Sequence, residues 1–95
     1  VGSEMCIRDR DMARAGEKLG LEYEKSLMLA TQTAAGSAKM VMNRGEIPVQ
    51  TLIDNVATKG GCTFVGITTM NEEGSEKLFY DVIDKTAKKA NELGR

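Results

Sequence analysis

Gly60 and Gly61, followed by Cys62 and Thr63, stand where one helical pattern stops and another opens, after Asp54-Asn55-Val56-Ala57-Thr58-Lys59. Adjacent glycines leave backbone N–H groups unshielded by side chains and tolerate positive φ. Just ahead of a helix, such N–H groups and the positive end of the helix dipole form a site for a small anion, a carboxylate or a phosphate. The structural alternative is that Gly60 ends one helix and Thr63 caps the next. The local pattern alone leaves both open, and the rest of the chain decides between them.

Other chemistries are narrowed by composition. Histidine is absent, which removes the commonest general base and the commonest metal ligand. Of the two cysteines, Cys6 lies in a segment set apart below, leaving Cys62 alone, so neither an internal disulfide nor a zinc site is expected. A reducing, cytoplasmic setting follows as the expectation. With 13 basic and 14 acidic residues the formal charge is −1, giving no electrostatic case for nucleic acid or an anionic membrane as partner. Aromatic residues make up 4%, too few for a base-stacking surface and few for a self-sufficient core. No apolar run approaches the length of a membrane span; Leu27-Met28-Leu29-Ala30 is among the longest.

The elements that must carry the glycine pair read as helices. Met12 to Leu19 resembles the tail of a helix that began upstream, stopped at Gly20. Residues 21–42 form a long helical pattern in which Leu27, Ala30, Ala34, Ala38 and Val41 recur three and four apart. Gly45 and Pro48 punctuate it, and Pro48 suits the first turn of a short helix through Leu52, Ile53 and Val56. Beyond the glycine pair, Phe64, Val65, Ile67 and Met70 make another short pattern that ends near Gly74. Ser75 offers an N-cap for a final helix carrying Leu78, Phe79, Val82, Ile83, Ala87, Ala90 and Leu93 to Gly94. Thr63 to Thr69 is the one ambiguous run, and the fold class expected is all-α, a single small domain. Ala30, Ala34, Gly36, Ser37 and Ala38 make the middle of the long helix small enough for another backbone to approach closely. Such a helix needs extensive contact, which a second copy of the chain or an ordinary intrachain packing can supply.

Val1-Gly2-Ser3-Glu4-Met5-Cys6-Ile7-Arg8-Asp9-Arg10 resembles, residue for residue, the in-frame translation of a transposase-type sequencing adapter. Nothing in it suggests a fold or a signal, and it is set apart from fold reasoning as processing scars are. The natural segment expected is therefore 11–95, with its true N-terminus cut away.

Gln32-Thr33-Ala34-Ala35-Gly36-Ser37-Ala38-Lys39-Met40, followed by Asp54 to Thr63, resembles the C-terminal domain of the pyrroline-5-carboxylate reductase family. Members carry a Gln-Thr-x-x-Gly-x-x-Lys-Met helix and then Val-x-Ser-Pro-Gly-Gly-x-Thr. Met12-Ala13-Arg14-Ala15-Gly16, Leu19-Gly20-Leu21, Glu72-Glu73-Gly74 and the final helix fit too, so the likeness covers 11–95. The resemblance implies a helical dimerisation domain, one long central helix interlocking with a partner subunit in a homodimer that is open to higher assembly. It implies NAD(P)H-dependent reduction of 1-pyrroline-5-carboxylate to L-proline, the last step of proline biosynthesis. By position it nominates Val56, Thr58, Gly60, Gly61, Cys62 and Thr63 as substrate-binding, with Thr63 as hydrogen-bond partner of the substrate nitrogen.

There are departures. Lys59 stands where many members have Pro, Cys62 where a small residue is common, and Glu22 where Pro often starts the long helix. A thiol beside a helix start is placed for reactivity, and the alternative for Cys62 is a small apolar packing role. No Gly-x-Gly-x-x-Gly element follows a strand, so NADPH or NADH would serve the intact enzyme and none would be bound by this chain alone, which is expected to be inert. Two rivals remain: a stand-alone helical dimerisation or interaction module without catalysis, for which the glycine pair is only a joint, and a small carboxylate-binding regulator.

Overall fold

The computed structural model describes residues 2–57 and 60–94, and those residues form five helices and no strand. They are α1 (Gly2–Lys18), α2 (Tyr23–Met42), α3 (Val49–Val56), α4 (Cys62–Glu72) and α5 (Ser75–Leu93). The all-α expectation holds, including across Thr63 to Thr69, which lies within α4. Two compact units divide the chain, residues 1–46 and 47–95.

In the first unit α1 packs against α2. The helix is longer than its apolar pattern predicts, because residues 2–10 continue it. The expectation that nothing in that segment favours a fold is therefore corrected. Glu4, Met5, Arg8 and Arg10 are straight-chain helix formers, and Arg8 pairs with Asp9 at 2.8 Å. At the other end the Leu21 N–H donates to the Gly16 carbonyl at 3.1 Å and the Gly20 N–H to that of Glu17 at 3.0 Å. These are the two bonds of a Schellman stop, which requires positive φ at Gly20, here 110°. The stop claims Leu21, so α2 begins later than expected: Glu22 is its N-cap, and the Ser26 N–H donates to the Glu22 carbonyl at 2.9 Å.

The two helices touch through small residues. Ala13 and Ala30 are the buried apolar side chains among the described residues, and Ser26 is the buried polar one. A Cβ placed on Gly16 would collide with Ser26 Oγ and lie 3.1 Å from Ser26 Cβ. The absence of a side chain at Gly16 is what lets α2 approach here.

In the second unit Pro48 is the N-cap of α3 rather than a residue of its first turn. Its φ of −62° is helical but its ψ of 144° is extended, and its carbonyl accepts from Thr51 at 3.0 Å. Gln50 Nε2 donates to Asp54 Oδ1 at 2.9 Å along the exposed side of that helix. Between α4 and α5 the chain turns through Gly74, whose φ of 79° and ψ of 42° are left-handed. The Gly74 carbonyl accepts from Leu78 at 3.0 Å, so Gly74 is the N-cap and Ser75 the first helical residue, one later than the role expected of it.

Helix α5 is amphipathic. Lys77 and Asp81, 2.6 Å apart, and Asp84 and Lys88, 3.1 Å apart, lie four residues apart along one side. At 100° per residue Phe79, Val82, Ile83, Ala90 and Leu93 fall on the other. That apolar side is largely open in the single chain: Ile83 is 56% exposed and Leu93 75%.

Candidate functional site

The segment from Val56 to Thr63 joins the end of α3 to the head of α4. Val56 is the last residue of α3 and is exposed. Ala57 closes the helix, donating its N–H to the Ile53 carbonyl at 3.0 Å. Thr58 and Lys59 lie outside the described residues. Gly60 follows with φ of 85°, a conformation that L side chains rarely adopt, and a Cβ there would meet open space. Its glycine is required by the backbone, not by crowding.

Gly61 is the N-cap of α4, with extended φ of −90° and ψ of 173°. This corrects the structural alternative in which Thr63 caps the helix. Thr63 is already the second residue within it. The first intrahelical bond runs from the Val65 N–H to the Gly61 carbonyl at 3.3 Å. The amides of Cys62, Thr63 and Phe64 precede it and have no acceptor inside the helix. No side chain caps this end, and no acidic residue lies in the first turn to offset the dipole.

Side chains add to that backbone. Thr31 Oγ1 and Thr69 Oγ1 donate back to the carbonyls of Leu27 and Val65, at 2.9 and 2.8 Å. Thr63, in the first turn, has no helical carbonyl four residues behind it, and its side chain is exposed. Its hydroxyl is thus placed to donate or accept outside the helix. Cys62 is exposed and carries a free thiol. Of the nominated residues, the structure gathers Gly60, Gly61, Cys62 and Thr63 at one helix head, and sets Val56 at the end of the preceding helix. Three bare amides and a hydroxyl can hold a carboxylate and a neighbouring polar atom.

Among the described residues no glycine-rich turn links a strand to a helix, since none of them forms a strand. Among the described residues there is no group of three or more His, Cys, Asp or Glu side chains placed to hold a metal ion. No helix of the described residues is long and apolar enough to cross a membrane.

A second candidate surface is the apolar side of α5, with Phe64 and Val65 of α4 also exposed. The small residues of the long helix are the other candidate pairing surface. The structure divides that stripe: Ala30 is buried, whereas Gly36, Ser37 and Ala38 stay open. The signal for α5 was present in Phe79, Val82 and Ile83, which periodicity marks as apolar without saying what covers them.

Open apolar faces on helices such as these are surfaces that another chain or domain can cover. Comparison with known proteins specifies the family. The profile described as "Pyrroline-5-carboxylate reductase dimerisation" matches residues 8–93. The chain is 37% identical over 82 residues to pyrroline-5-carboxylate reductase of Glycine max, covering 86% of this chain and 30% of that protein. It is 32% identical over 80 residues to pyrroline-5-carboxylate reductase 1 of Bacillus spizizenii, covering 84% and 27%. The crystal structure of Plasmodium falciparum pyrroline carboxylate reductase with NADP bound superposes with a TM-score of 0.89 at 29% identity, over 99% of this chain and 36% of that one. The chain belongs to the pyrroline-5-carboxylate reductase dimerisation family. It spans about a third of the length of the relatives it matches.

Proposed function

We propose that this chain is the subunit-pairing and substrate-holding part of a cytoplasmic reductase that converts 1-pyrroline-5-carboxylate to L-proline with NADPH or NADH. Its relatives carry that enzyme's name, and the chain matches the part of them described as dimerising. Dinucleotide binding belongs to the remaining two thirds of such a protein. The chain's own contribution is the head of α4. The amides of Cys62, Thr63 and Phe64, reached through Gly60 and Gly61, donate to the substrate carboxylate, and the Thr63 hydroxyl bonds the ring nitrogen. Val56 borders the ligand from the end of α3, and Thr58 is proposed as a further contact on the resemblance alone. The observation that carries this reading is the bare first turn of α4 behind a glycine held at positive φ. Two copies pair through the apolar faces to form a homodimer; neither nucleic acid nor membrane is a partner, in keeping with the near-neutral charge.

We also propose that residues 1–10 derive from a sequencing adapter, leaving 11–95 as the natural domain. The parent DNA tests this directly: continuous coding sequence upstream that encodes the same ten residues would overturn it.

The functional test joins residues 11–95 to the upstream two thirds of a related reductase. Oxidation of NADPH or NADH that depends on added 1-pyrroline-5-carboxylate is the expected result. A chimera that pairs into dimers yet neither turns over nor binds L-proline would reduce the chain to a helical pairing module.

A further inference from the structure

We draw no further inference here: the strongest candidate, the open apolar face of α5 around Phe79, Val82 and Ile83, belongs to the pairing surface already proposed, and nothing in the structure shows any other occupant for it.

Discussion

Thr63 differs from Thr31 and Thr69 in the direction its hydroxyl is free to work. The latter two are spent on carbonyls of their own helices, whereas Thr63 sits where the helix has no carbonyl to offer. Its replacement therefore separates function from folding. In a complete reductase built on this domain, Thr63→Ala is expected to lower kcat/KM by roughly ten- to a hundredfold, the value of one hydrogen bond to a polar or charged group at about 1.5–3 kcal/mol. Sedimentation should show the same dimer, and the melting temperature should hold, because changes at exposed positions are usually worth within about 0.5 kcal/mol. Thr63→Ser, which keeps the hydroxyl, should restore most of the lost rate. Unchanged steady-state constants in the alanine variant would remove Thr63 from the site. At this level the sequence was informative about backbone: a glycine pair before a helix pointed to bare amides without any coordinates. The alternative in which Thr63 caps the helix does not form, since Gly61 occupies that position. A threonine side chain can cap, and only the backbone φ and ψ show which residue leaves the helix.

Helices were legible because their apolar residues recur at three and four and their joints carry glycine or proline. Their boundaries were less so. Leu21 looks like the first apolar residue of the long helix but is bound into the stop of the helix before it. Gly74 looks like a terminator, yet it also starts α5. One residue serving two helices cannot be read from either helix's pattern alone. The contact of α1 with α2 was also hidden, since a missing side chain leaves no periodic signal. Gly16→Ala tests it. Alanine gains about 1 kcal/mol of helix propensity, but its methyl group would strike Ser26 Oγ, and overpacking costs about 1–3 kcal/mol. Net destabilisation is expected in urea titrations at fixed chain concentration. Adding Ser26→Ala removes the obstructing oxygen and should recover part of the loss, a non-additive result. Strict additivity of the two changes would mean that the helices do not meet at this point.

The described residues include many apolar side chains and few buried ones. Ala13 and Ala30 are the buried apolar residues among them, while Phe64, Phe79 and Ile83 remain partly or largely in solvent. Periodicity revealed which face of each helix is apolar and was silent on which molecule covers it; the small-residue stripe of α2, buried at Ala30 and open at Gly36, Ser37 and Ala38, poses the same question. Ile83→Asp discriminates. In an isolated subunit a charge on a 56% exposed position disturbs little. In a two-fold pair the same change is made twice: covering the exposed part of two isoleucines is worth about 2–3 kcal/mol, and two carboxylates in their place would lose that and add a desolvation cost. The dimer dissociation constant should rise a hundredfold or more by analytical ultracentrifugation. A variant that pairs as tightly as the parent would exclude α5 from the interface. The scarcity of intrachain core has a further result. Folding and association become one equilibrium, so the melting temperature should climb with protein concentration, each tenfold step adding about 1.4 kcal/mol per dimer. For a polypeptide whose described residues bury two alanines and a serine, simple dilution does the work of a mild denaturant.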